Sequence, residues 1–549
     1  MTMKNVRTPF TNMSFTPDVP SSALAATEYN LGQNVETDVR SVRSVLGDQY
    51  ILSQITGRPI FVTSGFRANN VYWFVVATST GVWYAINDAG ITNISSGAVG
   101  YTSAGYTDYT SITATWNGTV LFINDTINPP MYLLDSVNTL RLYDHAPDNY
   151  VWNYSVTMPT SGPQSGNTIP LYSSLTAGFV RLYNSPNVGS LLFAGNLSGV
   201  IAPNVTAYTP GTIQNLPTTV QWSQNFGLNA GPTTWAPTLT NVANQVDIPV
   251  RGPVIDGFPL NGNFYVCSYW DTVVFSPIAY QSSTAPLFGI KLINQGRGLL
   301  NENCWTNVDN VVYGMDARDI WSFDGGTFKA IGNQRVKNYL YSNLNPNYTG
   351  QIFMDNNSSK YQMEIYYPDL NSTGHCNKMI SYRYDLDIWN APRDVNNATM
   401  STESPVWTGN VANYASRTIV YSSFDANLKL IQKDQGTSFV NNAPISTTFQ
   451  RNNISYGQDF ADHVLVHRVL PEVYGTGNVT YAIGGSMNTN TAPVFQPNVN
   501  VAIGTDYPWA QIDQNEQRMV ALRVTSNSAV NGWQLSSMNW QVTVVETDR

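Results

Sequence analysis

Charge is scarce in this chain. Only 11% of its 549 residues are Asp, Glu, Lys or Arg, under half of the roughly 25% usual in soluble domains, so the polar surface has to come from Asn, Ser, Thr, Gln and Tyr. No run of Lys or Arg occurs, and the formal net charge is −9. A protein that holds DNA tightly neutralises phosphates with basic side chains, and that term supplies most non-specific affinity. The composition therefore argues against ordinary DNA binding and leaves open the passage of DNA without gripping it. Cysteine is nearly absent too. Cys267, Cys304 and Cys376 form no CxxC and are odd in number, which argues against a disulfide framework and a structural zinc site. They read as buried small apolar residues or free thiols.

Long apolar runs are missing as well. The opening "MTMKNVRTPFTNMSFTPDVP" has no apolar core of signal-peptide length, and no segment approaches the ~18 apolar residues of a membrane span. The expectation is a protein made in a cytosol, not exported by the usual route and without a membrane span. Among catalytic signatures there is no GxSxG, no phosphate loop, no dinucleotide fingerprint and no HExxH.

What the chain has is 42% apolar residues, many aromatics, and Gly and Pro as punctuation. That composition favours strands and turns over helices, and the length implies two to four structural units. The stretches "NVYWFVVATSTGVWYAINDAGITNIS" from Asn70 and "NVVYGMDARDIWSFDGGTFKAIG" from Asn310 share one grammar: apolar strand, four-residue turn, aromatic-bearing strand, Gly-containing turn, third strand. Copies of the strand-turn-strand part start near Gly118, Ser190, Asn263, Lys378 and Thr418. A recurrence of about 40 to 50 residues is what four-stranded propeller blades give. An all-β fold with a β-propeller of six or seven blades follows, since radial stacking buries the apolar faces of meanders that would otherwise stand exposed. Trp73, Trp83, Trp270, Trp321 and Trp389 are expected to fill wedges between blades.

The sequence divides accordingly. Residues 1–60 form an N-terminal arm and first strands, and 61–143 the first blades. Residues 144–250, with "MPTSGPQSGNTIP" and "LNAGPTTWAPTLTN", read as a Pro/Gly/Thr-rich insertion or peripheral subdomain. Residues 251–442 hold the remaining blades, and 443–549, with long alternating strands such as "DHVLVHRVLPEVYG", form a C-terminal β-sandwich.

Candidate chemistry is thin. Asp316 and Asp319 fall in a four-residue turn, and Asp324-Gly325-Gly326 is a hairpin signal, because glycine accepts the positive φ such turns require. "SFDGGTF" comes near the Asp-box of sialidases and related propellers, Ser-x-Asp-x-Gly-x-Thr-Trp, but is one residue short between Gly326 and Thr327; that box is itself a structural hairpin. Asp385 and Asp387 lie two apart, as a glycosidase pair on one strand face might, but a solvated turn is the favoured reading, by about ten to one. His463 and His467 share a strand face without an obvious third metal ligand. No catalytic, cofactor-binding or metal-binding residue is assigned, and no cofactor is expected.

The stretch "DVPSSAL...EYNLGQNVETDVRSVRSVLGDQY" resembles the opening of tail nozzle proteins of short-tailed bacteriophages, the group of tail tubular protein B and the packaged-DNA stabilisation proteins. "NVVYGMDARDIWSFDGGTFKAIGNQRVKNYL" looks like their blade followed by a short helix, and "LVHRVLPEVYGTGNVTYAIGGS...ALRVTSNSAVNGWQLSSMNWQV" resembles their C-terminal sandwich. The resemblance implies a non-enzymatic virion component assembled in the host cytoplasm: a hexameric ring beneath the portal and tail adaptor protein. Such a ring conducts genomic DNA without binding it tightly and offers docking surfaces to tail fibres or spikes. Two other readings stay open at this point, a carbohydrate-binding or glycan-cleaving propeller and a receptor-binding fibre or spike.

Overall fold

The computed structural model describes residues 2–107, 111–153, 155–157, 168–202, 209–238, 240–278, 287–456, 462–489, 491–505, 509–512, 516–528 and 532–545. Seven antiparallel units follow one another around a ring among them. Blades one to five are four-stranded sheets spanning 59–93, 113–142, 172–247, 254–295 and 305–330. Blade six consists of Phe353–Asn357, Gln362–Tyr367, Cys376–Arg383 and the short Ile388–Trp389. The chain then leaves blade six through Arg393–Thr408, which pairs first with blade six (Met379 with Arg393) and then, as the innermost strand of blade seven, with Val411–Ser423.

Blade seven is finished by the beginning of the chain. Its third strand, Leu430–Gly436, pairs antiparallel with Gly47–Ile51, in register Leu430 to Ile51 and Gln432 to Gln49. A ring of sheets has no covalent closure, so hydrogen-bonding an early strand onto the last blade removes an open edge and locks the circle.

The innermost strands, or the residues that lead into them, are also tied side to side at every one of the seven junctions. Trp116 Nε1 donates to Thr63 Oγ1 at 3.0 Å, and Arg181 Nη1 to the Ala114 carbonyl at 3.2 Å. Arg181 forks onto Asp256 at 2.9 and 2.6 Å, and Trp305 Nε1 donates to the same carboxylate at 2.7 Å. The Met354 amide donates to the Asn303 carbonyl at 3.0 Å, Ser401 Oγ to Asp355 at 2.7 Å, and Ser64 and Thr402 share a 2.8 Å hydroxyl contact. Polar groups withdrawn from water must find partners; here they find them across blade boundaries.

The C-terminal region is a two-sheet sandwich, and the chain's first residues belong to it. Thr2–Pro9 pairs with Trp533–Val545, the hairpin Val35–Asp38 and Ser41–Ser44 extends the same seven-stranded sheet, and Leu31–Gln33 joins Ile445–Ile454 in the six-stranded one. Residues 1–60 are therefore not a separate arm: Thr2–Pro9, Leu31–Gln33, Ser41–Ser44 and Gly47–Ile51 each pair with a strand from the far end of the chain, and Val35–Asp38 is carried into the sandwich by its hairpin with Ser41–Ser44. The sandwich core, including Phe449, Trp533 and Trp540, runs without a break into Met315, Ile320, Met363 and Trp389 of blades five and six. A seven-residue helix, Lys337–Asn343, stands at that junction, and Asp18 accepts the amides of Asn338 and Tyr339 at 2.7 and 2.8 Å, supplying the carboxylate a helix start favours. Among the described residues no helix is long and apolar enough to cross a membrane.

Three further expectations are corrected. Residues 144–250 are not an insertion outside the repeat; they contain blade three, with strands Tyr172–Ser185, Gly189–Ile201, Ile213–Trp222 and Asn244–Asp247. Gly195 and Gly199 look like turn residues in sequence but lie mid-strand, where a Cβ would come within 2.5 Å of Phe179 and 2.4 Å of Tyr172. "SLLFAGNLSGV" is accordingly one strand and not a hairpin, while "MPTSGPQSGNTIP" lies outside the described residues apart from 168–170. Trp270 is no wedge either. It sits at the tip between Asn263–Ser268 and Asp271–Pro277 and is 49% exposed, whereas Trp83, Trp321 and Trp389 are fully buried. The three cysteines are buried and free, and burial pushes the Cys267 and Cys304 thiols up to about 12.

Candidate functional site

The stretch from Asn310 forms three strands of blade five: Val311–Met315, Ile320–Phe323 and Phe328–Ala330. Asp316 opens the first turn, accepting the amides of Arg318 and Asp319 at 2.7 and 2.9 Å and an ion pair from Arg297 at 3.1 Å. Asp319 accepts from the Ile320 amide at 2.8 Å, and burial pushes its carboxyl above the ordinary range. Asp324 accepts from Gly326 and Thr327 at 2.8 and 2.9 Å, while Gly325 adopts φ +95°. These are side-chain-capped turns, and Asp316 and Asp319 are spent on them.

Asp324 does something further. Beside it, between blades five and six, opens a groove of about 600 Å³ whose lining also includes Asp387, Lys329, Phe328, Tyr313, Tyr382 and Tyr384. The two carboxylates come from separate sequence candidates, and the fold brings them to one cleft. Asp387 sits in a left-handed turn (φ +54°) and is gripped by the Arg335 guanidinium at 2.8 and 3.2 Å and by the Tyr382 hydroxyl at 2.7 Å. Asp385 turns away from it to pair with Arg383, so the two do not share a strand face.

Electrostatics make both groove carboxylates acceptors. The amides of Thr327 and Gly326 hold Asp324 below the usual carboxylate range. Partial burial pushes Asp387 up, but the Arg335 fork and the Tyr382 hydroxyl outweigh it and hold it below that range too. A glycosidase pair needs one carboxyl that keeps its proton near neutrality; neither of these does. The tyrosines escaped the sequence reading, although "SYRYD" places Tyr382 and Tyr384 two apart. Their rings form a chain with Tyr313: centroids are 6.0 Å apart for Tyr313–Tyr382 and 6.3 Å for Tyr313–Tyr384.

A second polar assembly lies inside, where blades six and seven meet the sandwich. Arg393, 2% exposed, bridges Asp48 and Asp434, and Lys360 bridges Asp434 at 3.0 Å and Glu36 at 2.9 Å. Lys433 pairs with Glu364 beneath them. With four carboxylates facing three cations, and Arg43 joining Glu36 at 2.9 Å, the charges balance, as buried ions must. A chain poor in charge thus places several of its ions in its interior, where they register early strands against late ones.

The histidines do not converge on a common ligand: His463 Nδ1 meets Glu516, and His467 Nε2 meets Thr543 Oγ1 at 2.7 Å. Among the described residues no group of three or more His, Cys, Asp or Glu is arranged to hold a metal.

No protein-family model matches the chain, and no curated protein does. Among solved structures it is similar to the WD40 repeats of RRP9, with 5% identity, a TM-score of 0.36, and 71% of this chain and 99% of that one covered. It is also similar to BBS1N solved in complex with ARL6DN, with 9% identity, a TM-score of 0.38, and coverage of 72% and 98%.

Proposed function

We propose that this chain is a structural, non-enzymatic subunit of a short-tailed bacteriophage tail, forming a ring-shaped nozzle below the portal and adaptor. Six copies of it surround the genome exit channel and present outer surfaces to fibres or spikes. The observation that carries the reading is the weaving of both chain ends into one sandwich whose core continues into the propeller. That construction makes a single stiff block, suited to a ring that must hold pressurised DNA, and the stretches that resemble the nozzle family fall in the same order along the chain, at its beginning, middle and end.

Two features support it further. Neighbouring blades are tied at every junction, by side chains at six of them and by a main-chain bond between blades five and six, so each propeller is a closed, stiff disc, and in this proposal the conduit is formed between several copies. The net charge is −9 with no basic run, so DNA meets no set of phosphate contacts that would each have to be broken in transit. Electron microscopy of virions with the chain labelled at one site tests the proposal. Density in a ring on the tail axis, between adaptor and tip, is the expected result; label confined to peripheral fibres or absent from the virion refutes it.

A further inference from the structure

We propose that the groove between blades five and six is a binding site for a neutral oligosaccharide, held without hydrolysis. Its volume, about 600 Å³, falls within the roughly 300–1,000 Å³ of small-molecule sites. One part of the lining is apolar and aromatic, with half-buried Phe328 and Tyr384. Flat rings of this kind cover the C–H faces of pyranose sugars while a phenol keeps a polar handle. Facing them are acceptors fixed in place: Asp324 is anchored by its own turn, and Asp387 by Arg335 and Tyr382. Carboxylates of this sort receive hydrogen bonds from sugar hydroxyls, and the anchoring means that no side-chain order has to be gained on binding.

Charge decides among polymers. Asp324 and Asp387 are offset by Lys329 in the groove and by Arg335, which grips Asp387 from outside the lining, while Asp385, outside it too, is paired with Arg383 and Asp309 acts on Tyr313 and Tyr384 from beyond it, so the groove carries opposite charges side by side and no basic or strongly acidic surface. A phosphate chain or a basic peptide would meet a countercharge and a like charge together. A neutral polyol uses the charged groups of the groove as donors or acceptors and pays for no unmatched ion. Cleavage is not part of the proposal, since both carboxylates are acceptors and a glycosidic oxygen would find no acid.

The intact chain is screened against an array of neutral hexose oligosaccharides of about two to six rings, and the best probe is titrated calorimetrically. Binding with Kd of about 0.1–1 mM is expected. Tyr384→Ala should weaken it about tenfold or more, and Asp324→Asn about fivefold. Asn keeps the turn, because both amides bond the same Oδ1. Unchanged thermal unfolding of Asp324→Asn shows that any loss arises at the site. No binding of any array member at about 1 mM, affinity in both variants equal to that of the parent chain, or preference for an oligolysine peptide over every sugar overturns the proposal. The location of the protein in a virion has no bearing on this result.

Discussion

Arg181 and Asp256 form a two-pronged ion pair, 2.9 and 2.6 Å, that joins the innermost strands of blades three and four. The same carboxylate receives the Trp305 indole at 2.7 Å and the Asn303 amide at 3.3 Å, and Arg181 also reaches the Asn303 side chain at 2.8 Å. Asp256 is fully buried. Removing one member of such a pair leaves the others desolvated and unmatched, at a cost of about 3–5 kcal/mol. Asp256→Ala should lower the urea midpoint by that much stability, whereas Asp324→Asn, in an exposed turn, should leave it within about 0.5 kcal/mol.

Acidity should act on the propeller through Asp355, on the innermost strand of blade six. Burial raises its carboxyl to about 7, and the hydrogen bonds from Ser401 and the Asn356 amide offset only part of that. The folded state therefore holds a proton that the unfolded chain, titrating near 4, gives up. Stability from this group is fully present below about pH 4 and is lost as pH rises through about 7. Asp355→Asn stays neutral and retains partners for both neighbours. Unfolding midpoints of the two proteins should coincide near pH 4 and diverge in favour of the variant up to about pH 7, with no further change above it; a constant difference at all pH values contradicts the assignment.

Closure of blade seven rests on Asp48, which takes Arg393 on one oxygen and the Tyr421 hydroxyl, at 2.9 Å, on the other. Asp48→Ala leaves two buried donors short of an acceptor, a loss of about 1–3 kcal/mol. The loss should be local. Hydrogen exchange at residues 47–51 and 430–436 is expected to quicken about 10- to 100-fold, while blades two to four keep the protection of the parent chain. Uniform acceleration throughout would mean that the early strand does not act as the lock.

The seven repeats read from sequence, at Asn70, Gly118, Ser190, Asn263, Asn310, Lys378 and Thr418, fall one in each blade. They were legible because mid-blade strands are buried on both faces and become apolar runs, as in Val120–Asn124. The innermost strands were not, since Thr113–Asn117 and Arg393–Thr408 carry polar residues that bond sideways to the next blade. Strands of two to five residues at the N-terminus have too few positions to show alternation. In the groove, Asp324 and Asp387 belong to different repeats, and no spacing within one repeat shows that blades five and six turn them toward one cleft.

Gly314, in the strand Val311–Met315, illustrates a residue type whose meaning only packing reveals. It lies opposite Trp321 in the ladder, and a Cβ there would stand 2.3 Å from the indole Cζ2. Trp321 cannot swing aside, for it is fully buried, bonded to the Gly298 carbonyl at 3.2 Å and packed edge-on against Phe328. Gly314→Ala should thus cost about 1–3 kcal/mol by overpacking. Trp321→Phe removes the outer ring that carries Cζ2, leaves a cavity and costs stability on its own. In the double variant the added methyl enters the vacated space, so the combined loss should fall below the sum of the single losses by about 1 kcal/mol. Urea unfolding of the four proteins closes the cycle, and strict additivity would show that the glycine is not there to make room for the indole.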